Sequence, residues 1–289
     1  MQIYKKKTDL KASLKKYRTY DSPKIGFVPT MGNLHQGHIK LVNAARAQND
    51  IVVCSVFINP LQFEAHEDLD IYPRTLDEDI EKLSASQCDI LYAPTNIDLY
   101  PESASFQTRV HVSGLSEGFC GNSRPQHFNG VATIVAKLFN LIGPDTAYFG
   151  LKDYQQFLVV KQLNLDLELG VEIVGVETFR EITGLALSSR NRYLNKSGIK
   201  RAPLLFQTLK NLSEEILKGN RNYSEIEKKG SEILGNADFT VDYLAIRNAL
   251  DLKPLVKDDS EIIILAAATI NKTRLIDNVR FSISNNLSV

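Results

Sequence analysis

The segment IGFVPTMGNLHQGH, residues 25–38, decides the fold class. Residues 25–29 form a short apolar run, and a turn that contains Gly32 follows them. A helical pattern then runs over residues 38–48, with apolar side chains spaced so that they share one face. A buried strand, a tight turn and an amphipathic helix in this order predict the first βα unit of an α/β sheet.

The same alternation of strand and helix continues to about residue 178. The run IVVCSVFI at residues 51–58 is almost continuously apolar, which is typical of a strand buried on both faces of a parallel sheet. We therefore predict a Rossmann-like, doubly wound parallel sheet with right-handed crossovers. The further predicted strands lie at residues 88–93, 146–149 and 171–178, and the further helices at residues 76–86, 131–142 and 153–169.

The pattern changes after about residue 180, where helices come first and strands follow. This order is typical of an α+β domain. We predict a Rossmann-like domain over residues 1–183 and a smaller C-terminal α+β domain over residues 184–289. The predicted C-terminal helices lie at residues 196–218 and 223–234, and the strands at residues 240–247, 262–268 and 274–276.

Composition and charge exclude several classes of function. Lys and Arg number 34, as do Asp and Glu, so no global field favours nucleic acid or an anionic membrane. No apolar run approaches the roughly 18–20 residues of a membrane span. The start MQIYKKKTDL lacks the apolar core of a secretory signal, and the three cysteines form no CxxC pair. We expect a soluble cytoplasmic protein that binds neither nucleic acid nor membrane.

Two histidines, His35 and His38, stand three residues apart at the start of the first predicted helix. The first turn of a helix presents backbone N–H groups and the positive end of the helix dipole, which favour phosphate. Imidazoles there can donate to phosphate oxygens, and Gly32 and Gly37 let the backbone approach closely. The alternative is a pair of capping or metal-binding histidines, although no third ligand lies nearby in the sequence. Both interpretations stay open at this point.

Two other segments carry groups that suit phosphate. Ser188, Ser189 and Arg190 lie in a predicted loop, and hydroxyls beside a guanidinium can bind phosphate oxygens. The alternative there is a serine N-cap beside a surface arginine. Lys152 and Asp153 follow the strand at residues 146–149, at the edge where open α/β sheets bind ligands. A solvated lysine and a helix-capping aspartate are the alternatives.

Taken together, these segments resemble the pantothenate synthetases, or pantoate–β-alanine ligases. This family belongs to the HxGH superfamily of nucleotidyltransferases and class I aminoacyl-tRNA synthetases. HxGH alone indicates only the superfamily, whereas six segments in order over residues 25–193 are far more specific. They are PTMGxLHxGH at 29–38, FxNPxQF at 57–63, DLDxYPRT at 68–75, RPxHFxGV at 124–131, GxKDYQQ at 150–156 and SSRN at 188–191. The C-terminal third resembles the family mainly in its helix-then-strand pattern.

The resemblance implies an ATP-dependent ligation of pantoate to β-alanine through a pantoyl adenylate, with AMP and pyrophosphate released. It implies ATP with Mg²⁺ as a co-substrate complex, no prosthetic group, and a homodimer. Residues 1–183 would bind the nucleotide and pantoate, and residues 184–289 would close over the site. Leu151 and Leu187 stand where the family often has Glu and Met, and neither change removes a group that the chemistry needs.

The resemblance also implies a role for each matched position. The implied catalytic residues are His35, His38, Lys152, Ser188, Ser189 and Arg190. The implied ATP-binding residues are these six together with Met31, Gly150, Asp153, Val176 and Leu187. The implied pantoate and β-alanine residues are Gln62, Gln156, Met31, Asn59, Tyr72, Arg124 and His127. Asp79, in an acidic run, is the candidate Mg²⁺ ligand, with a solvated helix start as the alternative.

Rival classes of function fit the sequence less well. A phosphopantetheine adenylyltransferase has the HxGH motif but lacks the FxNPxQF and RPxHFxGV segments. A nicotinamide-dependent oxidoreductase needs a GxGxxG turn after its first strand, and this chain has PTMGNLHQG there. A non-catalytic nucleotide-binding regulator would lack reactive residues, and a tRNA-binding protein would carry a basic domain. Neither feature is found in this sequence.

Overall fold

The computed structural model describes residues 1–18, 22–65, 67–102 and 107–283 of the chain. The chain divides into two compact units. The first unit comprises Met1–Leu151 and Gln155–Glu177, and the second comprises Lys152–Tyr154 and Thr178–Val289. Three residues of the motif at 150–156 therefore cluster with the C-terminal part of the chain. The domain boundary between residues 183 and 184 stays a prediction.

The first unit is built on a parallel β-sheet, as the sequence predicts. In the part that the structure describes, the strand order is β1-β4-β3-β2-β5-β6 and each neighbouring pair is parallel. The strands are β1 (Gln2–Tyr4), β2 (Ile25–Thr30), β3 (Ile51–Val56), β4 (Ile90–Tyr92), β5 (Thr146–Gly150) and β6 (Glu172–Val176). The α-helices are α1 (Lys7–Leu14), α2 (Gln36–Gln48), α3 (Leu76–Ala85), α4 (Asn96–Leu99), α5 (Cys120–Ser123), α6 (His127–Ile142) and α7 (Tyr154–Asp166). The prediction of a Rossmann-like α/β sheet is confirmed.

The central strands are largely apolar, and most of their residues are buried on both faces of the sheet. Phe27 and Val28 of β2, and Val52, Val53 and Cys54 of β3, have no exposed surface. Consecutive buried residues are expected where a parallel sheet is covered on both sides. This burial explains why the strand at 51–58 shows no alternation of polar and apolar residues.

The second unit pairs helices with an antiparallel sheet of order β7-β8-β9. Its helices are α8 (Lys196–Arg201), α9 (Pro203–Leu217) and α10 (Tyr223–Asn236), and its strands are β7 (Thr240–Asn248), β8 (Glu261–Ile270) and β9 (Thr273–Ser282). Leu209 and Leu212 of α9, Ile226 of α10 and Ile262 and Ile264 of β8 share one apolar core. The predicted α+β class of this region is confirmed.

Three of the differences between the structure and the sequence-based elements have a clear physical reason. The single helix predicted at residues 196–218 is two helices, because Pro203 has no N–H to continue α8 and instead suits the first turn of α9. Strand β9 is longer than residues 274–276, since its alternating half-buried positions hide it from a search for apolar runs. Strand β1 and helix α1 lie in a lysine-rich segment for which no element is predicted. None of the helices in the described part of the chain has the length and apolar character of a membrane span.

Candidate active site

The HxGH turn, defined as residues 31–38, lies at the switch point of the parallel sheet. Strand β2 is central, with β3 on one side and β5 on the other. From β2 the chain continues to β3 and β4 on one side of the sheet, and it later returns to form β5 on the other side. The carboxyl end of β2 therefore opens into the crevice where such sheets bind ligands. The backbone N–H of Phe57 donates to the Thr30 carbonyl at 3.0 Å, which extends the β2–β3 pairing to this edge.

His35 and His38 are built into the first turn of α2. His35 is the N-cap, and its Nδ1 accepts a hydrogen bond from the backbone N–H of Gly37 at 3.1 Å. Nδ1 of His38 accepts a hydrogen bond from the backbone N–H of His35 at 3.2 Å. The two residues thus form a capping box made of histidines. Their ring centroids lie 4.1 Å apart, with the planes tilted by 34°.

These capping bonds determine which nitrogen of each ring carries the proton. A ring nitrogen that accepts from a backbone N–H is unprotonated, so each neutral imidazole holds its proton on Nε2. Both Nε2 atoms are therefore hydrogen-bond donors, next to the positive end of the helix dipole. Capping and phosphate binding, the two interpretations left open by the sequence, use different nitrogens of the same rings.

Asp79 holds the HxGH turn from helix α3. Its side chain is fully buried, with Oδ2 accepting from the N–H of Asn33 at 2.9 Å and Oδ1 from the N–H of Leu34 at 2.7 Å. The Thr75 hydroxyl donates to Oδ2 at 3.2 Å, and Lys82 Nζ donates to the Leu34 carbonyl at 2.9 Å. We refer to Thr75, Asp79 and Lys82 as the α3 clamp.

The α3 clamp supports an uncommon backbone conformation. Gly32 has a φ of +81° and Asn33 a φ of 51°, both in the left-handed region. A Cβ at Gly32 would stand 3.1 Å from Asp79 Oδ2, so glycine suits both the conformation and the close approach. Both Asp79 oxygens accept backbone N–H groups, and no group of three or more His, Cys, Asp or Glu that could hold a metal occurs among the described residues. The Mg²⁺ role of Asp79 stays a prediction.

A short 3-10 turn, Pro60–Gln62, follows β3 and carries Gln62. Asn59 precedes this turn with its side chain fully buried. Its Nδ2 donates to the Gly130 carbonyl at 3.1 Å, and its Oδ1 accepts from the Tyr100 hydroxyl at 2.9 Å. The contacts of Asn59 fix the turn against helix α6, and Gln62 is presented from it with only 8% of its surface exposed.

Arg124 and His127 hold the main chain of Gln62. Nδ1 of His127 lies 2.8 Å from the Gln62 carbonyl oxygen, and Arg124 Nη2 donates to the same oxygen at 3.0 Å. Since a carbonyl oxygen only accepts, the proton of His127 is on Nδ1, and its Nε2 accepts from Arg124 Nη1 at 3.2 Å. Arg124 also donates to Glu67 Oε2 at 2.8 Å. The substrate-binding role of Arg124 and His127 stays a prediction.

The remaining predicted residues of the first unit are Gly150, Val176, Met31, Gln156 and Tyr72. Gly150 and Val176 are paired at the ends of β5 and β6. Nothing lies within 4 Å of a Cβ built at Gly150, so the backbone there is open to a ligand. Met31 and Gln156 are half-buried, and Tyr72 is buried with its ring centroid 5.6 Å from that of Phe63.

Lys152 and Asp153 belong to the second unit. Lys152 Nζ lies 3.9 Å from Asp153 Oδ1. The Lys152 carbonyl accepts a hydrogen bond from Asn278 Nδ2 at 3.0 Å, and the Tyr154 hydroxyl donates to the Ala249 carbonyl at 2.8 Å. These two bonds attach the segment to the antiparallel sheet of that unit.

The SSRN loop, defined as residues 188–191, follows a tight hairpin in the second unit. We refer to residues 179–187 as the hairpin. Ser188 caps the short 3-10 helix Ser189–Tyr193, and its Oγ accepts from the N–H of Arg190 at 3.3 Å. A hydroxyl that accepts at a cap still has its own proton to donate, so capping does not exclude phosphate binding. Leu187, Ser188, Ser189 and Arg190 are all half-buried.

Two of the three cysteines, Cys54 and Cys88, are poor nucleophiles. Burial raises the pKa of the Cys54 thiol well above its ordinary value, and burial raises the pKa of Cys88 to about 12. A thiol with a raised pKa is a poor nucleophile because the thiolate is the reactive form. Both residues are packed in the apolar core of the parallel sheet.

The strand order and the HxGH turn at the switch point define a Rossmann-like α/β protein with a ligand crevice at the start of α2. A sequence model of the pantoate-beta-alanine ligase family matches residues 2–280. The chain therefore belongs to the pantoate–β-alanine ligases, and it is an enzyme that ligates pantoate to β-alanine. The match includes the C-terminal third, where the motifs alone show only a weak resemblance.

Relatives of known name agree over nearly the full length. The pantothenate synthetase of Stutzerimonas stutzeri is 50% identical over 279 residues, which is 96% of this chain and 97% of the relative. That of Methylococcus capsulatus is 49% identical, with 98% and 99% covered. A solved pantothenate synthetase from Thermus thermophilus has a TM-score of 0.90 at 44% identity, covering 96% of this chain and 99% of that one. The ligase from Francisella tularensis, solved with beta-gamma ATP and beta-alanine, has a TM-score of 0.78 at 33% identity, with 96% and 97% covered.

Sequence reasoning missed residues that hold the motifs or the segments around them. Gln155, beside the predicted Gln156, is buried; its Oε1 accepts from Cys120 N–H at 3.1 Å and its Nε2 donates to the Leu115 carbonyl at 3.0 Å. Glu67 and Asn278 were likewise not singled out. The DYQQ pattern marks two glutamines, which point about 100° apart on the helix, so only the orientation of the helix distinguishes the buried one.

Proposed function

We propose that the chain activates pantoate by adenylation before the amine attacks. A carboxylate oxygen of pantoate attacks the α-phosphorus of ATP, and the bond to the leaving pyrophosphate breaks. The neutral amine of β-alanine then attacks the acyl carbon of pantoyl adenylate, AMP leaves, and a proton is lost to give pantothenate. Adenylation gives the carboxylate a good leaving group, so positioning and charge stabilisation suffice without a covalent enzyme intermediate.

The observation that carries this proposal is the pair of Nε2 donors at the start of α2. Capping bonds to both Nδ1 atoms hold the protons of His35 and His38 on Nε2. Negative charge develops on the pyrophosphate as its bond to the α-phosphorus breaks, and preorganised donors are most effective where charge develops. The presence of beta-gamma ATP and beta-alanine in the Francisella ligase supports ATP and β-alanine as substrates here.

Pantoate is proposed to bind at Gln62 and Gln156, whose amides can donate to its carboxylate and accept from its hydroxyl. Met31 and Tyr72 are proposed as apolar contacts of the same substrate. Asn59 would act on this site through the turn that carries Gln62, since its amide already bonds Gly130 and Tyr100. Arg124 and His127 are proposed for the β-alanine and pantoate end.

The second unit is proposed to supply the cationic groups for the ATP phosphates. Lys152 offers a point charge, and Arg190 offers a planar guanidinium that can bind two phosphate oxygens at once. Ser188 and Ser189 add hydroxyl donors. Asp153, Leu187, Gly150 and Val176 are proposed for the ribose and adenine.

Mg²⁺ is proposed to enter as part of the substrate Mg·ATP. The described residues hold no cluster of three or more His, Cys, Asp or Glu suited to a metal. Mg²⁺ usually keeps several waters and binds substrate phosphates, so ATP itself can supply its ligands. We propose no prosthetic group. A homodimer is proposed on the family resemblance alone, and a cytoplasmic location on the sequence composition.

The adenylate is tested by isotope exchange. With pantoate, Mg²⁺ and ATP but no β-alanine, labelled pyrophosphate should enter ATP, because the first step is reversible. Pantoate carrying heavy oxygen in its carboxylate should transfer one label to AMP in the complete reaction. Absence of exchange together with label in inorganic phosphate and release of ADP would instead indicate an acyl phosphate, and would overturn the proposal.

Gly130→Ala should disturb the turn that carries Gln62. A Cβ at Gly130 would stand 2.0 Å from the Leu61 carbonyl oxygen and 2.8 Å from the Gln62 nitrogen, so packed main-chain atoms must move. We expect a loss of about 1–3 kcal/mol in unfolding free energy, the range for overpacking, and a raised KM for pantoate. Thermal unfolding and steady-state kinetics measure both.

Gly235→Ala is the matched control for this substitution. Gly235 also lies in a helix, nothing stands within 4 Å of its added Cβ, and alanine is the better helix former. It should leave the KM for pantoate unchanged and keep or raise the Tm. A Gly130→Ala enzyme with the Tm and the pantoate KM of the wild type would contradict the close approach of helix and turn.

A further inference from the structure

Strand β9 contacts both of the segments that the second unit contributes to phosphate binding. The contacts come from two consecutive residues, Asp277 and Asn278. Asp277 is buried, with 4% of its surface exposed, and Asn278 is half-buried. The backbone N–H of Asn278 donates to Asp277 Oδ1 at 2.8 Å, so the two side chains are arranged together. Neither residue lies in a family motif found in the sequence.

Asn278 fixes the main chain at Lys152. Its Nδ2 donates to the Lys152 carbonyl at 3.0 Å, across 126 residues of sequence. Two residues later the Tyr154 hydroxyl bonds the Ala249 carbonyl at 2.8 Å, which gives the segment a second attachment. The main chain from Lys152 to Tyr154 is therefore attached at two points, and this restricts the direction in which the Lys152 ammonium can extend.

Asp277 fixes the hairpin that leads into the SSRN loop. Its Oδ2 and Oδ1 accept from Arg180 Nη1 and Nη2 at 2.6 and 2.7 Å, a bidentate pair largely shielded from water. Arg180 Nη1 also donates to the Gly184 carbonyl at 3.1 Å. The guanidinium carbon lies 3.6 Å from the centroid of the Phe206 ring, a stacked arrangement that favours arginine over lysine. Arg180 thereby joins β9, the hairpin and helix α9.

The hairpin connects Arg180 to the SSRN loop through a few hydrogen-bonded residues. Arg180 pairs with Ala186 across the hairpin, and the N–H of Leu187 donates to the Phe179 carbonyl at 3.0 Å. Nδ2 of Asn191 donates back to the Ala186 carbonyl at 3.0 Å. The loop therefore leaves the hairpin in a defined direction.

We propose that Asp277 and Asn278 are positioning residues for ATP. Asn278 sets the main chain from which Lys152 extends, and Asp277, through Arg180, sets the hairpin that presents Ser188, Ser189 and Arg190. The inference rests on the proposed phosphate roles of Lys152 and Arg190. Its physical reason is that phosphate ligands act only when held at hydrogen-bond distance, and a displacement of about 1 Å can cost about 10²-fold in rate.

A double-mutant cycle tests the connection between Asn278 and Lys152. Asn278→Ala in the wild-type background should lower kcat/KM for ATP in pyrophosphate exchange by about tenfold, within the range of coupling between residues in contact. In a Lys152→Ala background the same substitution should change kcat/KM by less than about twofold, because the group that it positions is gone. The KM for pantoate should not change in Asn278→Ala.

The outcomes separate this inference from the proposed function. Near-normal exchange in Lys152→Ala alone would refute the phosphate role of Lys152. A normal Asn278→Ala enzyme, or an equal loss in both backgrounds, would refute the positioning role while leaving Lys152 in place. Arg274→Ala is the control on the same strand, because it removes an ion pair with Asp242 of strand β7, which lies outside both segments. It should leave both kinetic constants within about twofold of the wild type.

Asp277 is tested by Asp277→Asn, which keeps the shape of the side chain and removes its charge. Asparagine keeps one oxygen that can accept from Arg180, whereas full deletion would leave this shielded arginine with no side-chain acceptor at Asp277 and endanger folding. Asp277→Asn should raise the KM for ATP in the wild type and have little further effect in an Arg190→Ala background. A fold-intact Asp277→Asn enzyme with a normal KM for ATP, or an additive effect with Arg190→Ala, would overturn this part of the proposal.

Discussion

His38→Asn should lower pantoate-dependent pyrophosphate exchange by about 10²–10³-fold, the scale of losing one transition-state donor. The choice of asparagine follows from the two uses of the ring. Nδ1 of His38 accepts from the His35 N–H at 3.2 Å, and an asparagine Oδ1 can take over that cap. No atom of asparagine reaches the position of Nε2. The substitution therefore removes the proposed phosphate donor and keeps the helix start.

His38→Gln makes the opposite change and is the matched variant. A glutamine amide reaches the position of Nε2 and can donate there, but it leaves no acceptor at the position of Nδ1. We expect a loss of stability of about 1 kcal/mol from the missing cap, and exchange well above that of His38→Asn. Thermal unfolding and exchange rates at saturating pantoate and ATP measure the two effects separately.

The same pair of substitutions at His35 resolves the division of labour between the histidines. His35 caps through Nδ1 to the Gly37 N–H at 3.1 Å, so His35→Asn should also preserve the helix start. The opposite result is that pyrophosphate exchange falls in both glutamine variants, which lose stability, and persists in both asparagine variants. The histidines would then be caps only. The assignment of both Nε2 atoms to phosphate would then be wrong.

The fold was predictable where burial leaves a simple pattern in the sequence. Strands β2 and β3 are covered on both faces, so their apolar runs are nearly unbroken and were found with small errors at their ends. Strand β9 was found only in part, because its residues alternate between buried and half-buried positions. The lysine-rich start of the chain hides β1, which pairs with β4 at the edge of the sheet. Pairing with a distant strand does not show in local composition.

The motifs were predictable for a different reason, whereas the residues that hold the motif loops in place were not. Glycines, histidines and serines at fixed spacing identify loops at the carboxyl ends of strands. The residues that hold those loops act across long sequence separations: Asp79 is 46 residues from Asn33, and Asn278 is 126 residues from Lys152. A single aspartate or asparagine has no local signature of this role. In the sequence, Asp79 stands out only as part of an acidic run, which suggests a metal ligand.

Asp79→Ala should lower exchange by an amount comparable to that expected for His38→Asn. The substitution leaves the N–H groups of Asn33 and Leu34 without the carboxylate that accepts them, at a cost of about 1–3 kcal/mol for each buried group. The turn then loses what holds Gly32 and Asn33 at positive φ. Since His35 follows directly, we expect exchange to fall by about 10²-fold, the scale of a displacement near 1 Å.

Asp79→Asn and the concentration of Mg²⁺ distinguish a clamp from a metal ligand. Asparagine can accept one of the two N–H groups but turns a donor toward the other, so exchange and Tm should both fall between wild type and Asp79→Ala. Asp77→Asn is the control in the same acidic run, because that residue is exposed and should change exchange by less than about twofold. For a clamp, the deficit of Asp79→Ala persists at every Mg²⁺ concentration. Recovery of exchange at high Mg²⁺ with an unchanged Tm would show instead that Asp79 binds the metal.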